Sequence, residues 1–227
     1  MLRPTLRLAG PGAIAALGFL LLGSRQSAGA VRASGEPPAG VHPAAAERVA
    51  TFAGGCFWSM QKAFDGVGGV TSVLAGYAGG TKADPTYQDV ETGETGHAES
   101  VEVRYDPARI SYEQLLDVYW HHIDPLTVNS AFCDYGPQYR SIIFYHDADQ
   151  RRAAEASKRA LDQSHRFATP IVTAIQPATP FYRAEEYHQM FYKKNPVRYE
   201  AYRIGCRRDA RLKQLWGDVA ISQGKDR

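Results

Sequence analysis

Short apolar strands alternate with amphipathic helices between Val49 and Ile175, and this order constrains the chain more than any other feature. Residues Ser100 to Tyr105 set Val101 and Val103 against Glu102 and Arg104, the period-two pattern of a half-buried strand, and Asp106-Pro107 stops it. Ser111 and Gln114 form a capping-box pattern. The helix they open runs to about His122, with Leu115, Leu116, Tyr119 and Trp120 on its apolar side. Val49 to Ala53, Val67 to Tyr77, Ser141 to Tyr145 and Ile171 to Ile175 read as further strands, and Trp58 to Phe64 and Asp147 to His165 as further helices. The order β-α-β-β-α-β-α-β predicts an α+β fold: a ferredoxin-like mixed sheet with flanking helices. Beyond Pro177 the chain is rich in Tyr, Pro and Arg, which predicts a long irregular C-terminal segment with only short helices.

The ends carry different signals. Residues 1–30 read as a signal peptide: Arg3 and Arg7 give a basic start, Ala9 to Gly23 an apolar core, and Ala28-Gly29-Ala30 an A-x-A cleavage site. That core is short for a membrane span, so export to the periplasm with cleavage after about Ala30 is expected. The alternative is an uncleaved N-terminal anchor, and no other membrane attachment is expected. Residues 31–47 read as a flexible linker, and 48–227 as a single domain large enough to bury a core. Net charge is +2 and the basic residues are scattered apart from Arg203 to Arg211, which excludes a nucleic-acid footprint.

Gly54-Gly55-Cys56-Phe57-Trp58 stands where a strand should deliver the chain to a helix start. Glycines there permit a sharp turn and close approach by a substrate. At a helix N-terminus the unpaired N–H groups and the dipole favour a thiolate, which predicts a low-pKa nucleophile at Cys56 beside the apolar Phe57 and Trp58. A buried cysteine packed as a small hydrophobe is the competing reading. Three cysteines, Cys56, Cys133 and Cys206, make an odd count for an exported chain, and a leftover thiol suggests reactivity. Glu99, at the start of a strand, gains an acid's raised pKa if desolvated. His121 and His122 point about 100° apart on their helix, and no CxxC, HExxH or phosphate-loop pattern occurs, so neither metal nor cofactor is expected.

Six ordered motifs together resemble the A-type peptide methionine sulfoxide reductases: GGCFW, GYAGG at Gly76, PTYxxV at Pro85, GHAE at Gly96, the DxGxQYRS run from Asp134, and AEEYHQ at Ala184 followed by Lys194-Asn195-Pro196. The resemblance covers Val49 to Pro196. It implies that Cys56 attacks the sulfur of methionine sulfoxide, protein-bound or free and of the S epimer, and that Phe57 and Trp58 hold the substrate methyl. It implies also that Glu99 protonates the oxygen, that Tyr87 and Tyr139 hydrogen-bond it, and that Asp134 supports the polar network. The sulfenic acid left on Cys56 needs a second thiol. Cys206, in a tail read as mobile, is the expected resolving cysteine in a single step to a Cys56–Cys206 disulfide. Cys133 is the alternative. A thioredoxin-like partner would supply electrons to a protein expected to act as a monomer.

Ser59 stands where the motif usually has glycine, and Ile123-Asp124-Pro125 departs from the usual His-Asp-Pro. Two other readings compete on the residues alone. A cysteine hydrolase would take His97 or His188 as base, and a non-catalytic thiol module would use the aromatics only to hold a partner segment.

Overall fold

The computed structural model describes residues 46–218, so the signal-peptide reading and nearly all of the linker lie outside the described residues. Elements follow in the order β1 (Arg48–Gly54), α1 (Phe57–Phe64), β2 (Val70–Ala78), α2 (Tyr87–Glu91), β3 (Ala98–Tyr105) and α3 (Tyr112–His121). Then come β4 (Ser130–Ala131), β5 (Asp134–Tyr135), β6 (Ser141–Tyr145), α4 (Ala148–Gln163), β7 (Ala174–Pro177), β8 (Tyr182–Arg183), α5 (Phe191–Lys194), α6 (Pro196–Gly205) and α7 (Arg208–Trp216). None of the described helices is long and apolar enough to cross a membrane.

The main sheet runs β7-β6-β1-β3-β2-β8. Its central four strands, β6-β1-β3-β2, are mutually antiparallel neighbours in the interleaved order of a split βαβ pair, the ferredoxin-like core expected from the element order. β7 adds in parallel beside β6, and β8 closes the other edge against β2. The last strand begins three residues later than the apolar run Ile171 to Ile175 predicts. Ile171 and Thr173 are buried before the ladder starts, so their apolar character reports packing rather than pairing.

Core packing explains why α1 lies where it does. Its buried face carries Phe57, Met60 and Phe64, and Phe64 stacks on Phe52 of β1 at 5.2 Å while Tyr119 of α3 stacks on Phe52 at 5.0 Å. Each such side chain contributes roughly 1.5–3 kcal/mol on burial. Gln61, on the same helix, is buried and fully used: its Nε2 donates to Val73 O at 2.8 Å, and its Oε1 accepts Met190 N–H at 2.7 Å. The C-terminal segment is more regular than its composition suggests. α6 and α7 are packed helices whose Tyr199, Leu212, Leu215 and Trp216 are buried, so the tail carrying Cys206 is fastened to the core.

Candidate active site

β1 ends at Gly54, and Gly55 turns the chain at φ +88° into Cys56, the N-cap of α1. A Cβ on Gly55 would lie 2.6 Å from Ala131 Cβ, so glycine is required there by space as well as by conformation. Cys56 is a free cysteine and 6% exposed. Its carbonyl accepts Ser59 and Met60 N–H, which leaves the Phe57 N–H at the helix start free of intrahelical partners. That N–H donates to Glu99 Oε2 at 2.9 Å. Because β1 and β3 are antiparallel with Ala53 opposite Ser100, the end of one strand and the start of the next bring thiol and carboxyl together.

Burial dominates the electrostatics. Glu99 is 2% exposed, and desolvation raises it to about 8 despite the Phe57 N–H, with Asp134 and Glu91 adding in the same direction. The thiol differs from the sequence expectation. Desolvation, then the negative charges of Glu99 and Asp134, push Cys56 up, and the hydrogen bonds from the Trp58 backbone and the Tyr202 hydroxyl offset this only in part. The helix start therefore does not produce a low-pKa thiol in the resting state. Both the Cys56 thiol and the Glu99 carboxyl hold their protons at neutral pH.

Tyr87 and Tyr139 stand beside this pair. Their hydroxyls lie close enough to act on each other, and burial followed by the Glu99 charge raises both. Tyr87 is held at its backbone by Glu185 Oε1 at 2.8 Å, while Glu185 Oε2 accepts the Tyr77 hydroxyl at 2.8 Å. Arg140 ties the Tyr139 loop to the one leading to Glu99, donating to Pro137 O at 2.6 Å and Gly96 O at 2.8 Å. Trp58 is partly exposed and stacks on Phe191 at 3.7 Å, with its indole N–H on His188 Nδ1 at 3.0 Å. Phe57 is instead buried at 1%, tilted against Tyr77 and His188, so it forms the pocket's backing.

Both imidazoles open to a hydrolase reading are committed elsewhere. His97 accepts Gly80 N–H at Nδ1 and meets Lys82 O at Nε2, while His188 accepts the Trp58 indole N–H at Nδ1, which puts its own proton on the buried, unpartnered Nε2, and burial lowers its pKa to about 4. The sequence reading missed Tyr202, whose hydroxyl donates to Asp134 Oδ2 at 2.5 Å and lies close enough to Cys56 to act on its thiol. Its only sequence signal was membership of an aromatic-rich tail. Asp134 itself is raised by burial, offset by Tyr202 and by the nearby Arg208.

The cysteine pairing also differs from the expectation. Cys206 is bonded to Cys133, with Cα atoms 4.9 Å apart, and not to Cys56. Cys133 occupies the two-residue turn between β4 and β5, and Cys206 caps the end of α6. The two cysteines weighed as alternatives are thus partners, and a one-step scheme ending at Cys56–Cys206 does not describe this state. The ligand atoms of Cys133, Asp134 and Cys206 lie within 4.8 Å of one another, but the two sulfurs are spent on each other.

Comparison with known proteins agrees with this geometry. The family model described as peptide methionine sulfoxide reductase matches residues 48–220. The peptide methionine sulfoxide reductase MsrA of Listeria innocua is 51% identical over 167 residues, 74% of this chain and 94% of that protein. Its counterpart from Bacillus licheniformis is 50% identical over 169 residues, 74% of this chain and 93% of that protein. Among solved structures, Mxr1 of Saccharomyces cerevisiae in reduced form superposes with a TM-score of 0.63 at 32% identity, covering 66% of this chain and 87% of that one. Methionine sulfoxide reductase A of Corynebacterium diphtheriae gives 0.59 at 31% identity, covering 69% and 78%. A buried cysteine facing a protonated carboxyl and two tyrosines, carried on this sheet and matched over this length, places the chain in the peptide methionine sulfoxide reductase family.

Proposed function

We propose that the chain reduces methionine S-sulfoxide, protein-bound or free, with Cys56 as nucleophile and Glu99 as acid. The observation that carries this reading is the contact of two protonated groups at one helix start, Cys56 as N-cap and Glu99 on the adjoining N–H. The Cys56 sulfur attacks the sulfoxide sulfur while Glu99 gives its proton to the oxygen and the thiol proton replaces it. Tyr87 and Tyr139 hydrogen-bond the oxygen as negative charge builds. The hydroxyl passes from the substrate sulfur to the Cys56 sulfur as the bond between the two sulfurs breaks, so methionine leaves and Cys56 ends as a sulfenic acid. Trp58, with Phe57 behind it, receives the substrate methyl. A hydrolase is disfavoured because the imidazoles of His97 and His188 have other partners.

Recycling then takes two steps. Cys206 condenses with the sulfenic acid, releasing water and forming a Cys56–Cys206 bond. Cys133 thiolate attacks Cys206, which frees Cys56 as a thiol and leaves the Cys133–Cys206 disulfide. What supports this order is that Tyr202 and Arg208, on either side of Cys206, both interact with Cys56, while Cys133 lies exposed. A cavity of about 530 Å³ lined in part by Phe132, Cys206, Arg207 and Arg211 opens beside the disulfide and gives a thioredoxin-like dithiol room to approach. The basic start, apolar core and A-x-A pattern of residues 1–30 support export to the periplasm, or anchoring if uncleaved, with the reductant on the same side of the membrane.

Mass-spectrometric disulfide mapping after one equivalent of substrate tests the scheme. Cys133→Ser should accumulate Cys56–Cys206, Cys206→Ser should stall at the sulfenic acid, and Cys56→Ser should release no methionine. Methionine release by Cys56→Ser sinks the nucleophile, and a Cys56–Cys133 bond in Cys206→Ser reverses the order of the relay.

A further inference from the structure

Arg208, the first residue of α7, is 2% exposed and has no carboxylate partner among the described salt bridges. Its Nη2 donates to His122 O at 2.6 Å, and its guanidinium lies 4.0 Å over the Phe132 ring. Its Nη1 is buried with no hydrogen-bond partner, on the side facing the Cys56 turn, 3.9 Å from the position a Cβ on Gly55 would take. A buried cation is normally paired, since an uncompensated one is costly. Salt bridges elsewhere on the molecule are mostly at partly or fully exposed side chains, so this arrangement is exceptional within the fold.

Asp134 acts on the guanidinium only through space and its Oδ2 is taken by the Tyr202 hydroxyl, so the unpartnered Nη1 faces a group that becomes negative only during turnover. We propose that Arg208 is a positioning residue whose buried positive charge is the counter-charge for the Cys56 thiolate, a role that rests on Cys56 being the nucleophile. A preorganised charge in a water-excluded site stabilises the ionised state without reorganisation. The other groups facing Cys56 cannot serve. Glu99 from β3 and Asp134 from β5 oppose its ionisation, Tyr87 from α2 and Tyr139 before β6 are neutral, and Tyr202 from α6 offers only a hydrogen bond. Arg208 in turn meets Tyr199, Tyr202 and Arg203 of α6 and Asp134 of β5 besides Cys56. The Cys133–Cys206 disulfide and the Arg208–Phe132 contact staple the same two segments, so the oxidised tail holds the cation in place.

The test titrates the thiol without substrate, using the disulfide-intact protein in which Cys56 is the free cysteine. Thiolate absorbance at 240 nm, with Cys56→Ser as blank, and iodoacetamide alkylation both report it. Arg208→Gln should raise the apparent thiol pKa by one unit or more, slowing alkylation about tenfold at a fixed pH below both values. Arg208→Lys, which keeps the charge, should shift it by less than half as much. No shift in either variant, or equal shifts in both, overturns the proposal in favour of a packing role. If Arg208→Gln does not fold, nitrogen-15 arginine resonances of the wild type decide: the Arg208 signals should move with the thiol titration and stay still in Cys56→Ser. Stationary signals in both proteins overturn it. None of these readings depends on sulfoxide turnover, so the nucleophile assignment stands or falls separately.

Discussion

Replacing Glu99 with glutamine isolates the buried acid, because an elevated carboxyl pKa has a stability cost whose sign and size can be worked out. Glu99 titrates at about 8 in the folded protein, against an ordinary value of 4.5. Between these values the folded state holds a proton that the unfolded chain has released, so stability falls as pH rises through the window and levels off above it. Below the lower value both states are protonated and the penalty is absent. Above the upper one it reaches about 5 kcal/mol, at roughly 1.4 kcal/mol per unit. Integrated from pH 6 to pH 9, the penalty grows by about 3 kcal/mol. Glutamine keeps the shape and still accepts the Phe57 N–H through its carbonyl, but does not titrate. Urea unfolding at pH 6, 7, 8 and 9 should therefore show Glu99→Gln gaining about 3 kcal/mol on the wild type across the series. Burial, the larger cause of the raised Cys56 thiol, is common to both proteins and keeps it protonated in either fold, so only the smaller Glu99 contribution differs. A difference that stays flat within about 0.5 kcal/mol would refute the buried-acid reasoning, since a solvated carboxylate is already ionised at pH 6. Having no proton to give, the variant should also lose at least about 10²-fold in kcat/KM at every pH.

Two further substitutions probe the frame around the thiol. Gly55→Ala forces a side chain into φ +88° and within 2.6 Å of Ala131, so urea unfolding should show a loss of about 2–4 kcal/mol; a loss under about 0.5 kcal/mol would mean the turn is not constrained as described. Trp58→Ala removes the stacked wall on Phe191 and leaves His188 Nδ1 without its donor, and steady-state kinetics should show kcat/KM falling about 30- to 150-fold. Trp58→Phe should recover part of this, and an unchanged KM and kcat in the alanine variant would remove Trp58 from the pocket.

What the sequence made legible divides along contact range. The alternation in Val101 and Val103, the capping box at Ser111 and Gln114, and the apolar face of α1 are local patterns, and they suffice for the element order and hence the interleaved sheet. The strand at Ile171 was displaced because burial without pairing leaves the same apolar signature as a ladder. The thiol's protonation was misjudged for a related reason. The helix start at Cys56 is visible locally, but the burial and the two carboxyls that outweigh it come from β3 and β5, folded in from 43 and 78 residues away by subtraction of the residue numbers 56, 99 and 134. Tyr202 and Arg208 lie at still longer range, and the Cys133–Cys206 bond at a comparable one. The bond spans 73 residues, and no periodicity links a hairpin turn to a helix end across that distance. The composition of the tail pointed to an irregular strap because its apolar residues are sparse. Tyr199, Leu212, Leu215 and Trp216 are nonetheless enough to dock α6 and α7, and the docked helices bring the Tyr202 hydroxyl and the Arg208 guanidinium to Cys56 and the Cys206 sulfur to Cys133. In the proposed relay one segment supplies all three groups and must be held in register with Cys56, so its regular packing is what that relay requires.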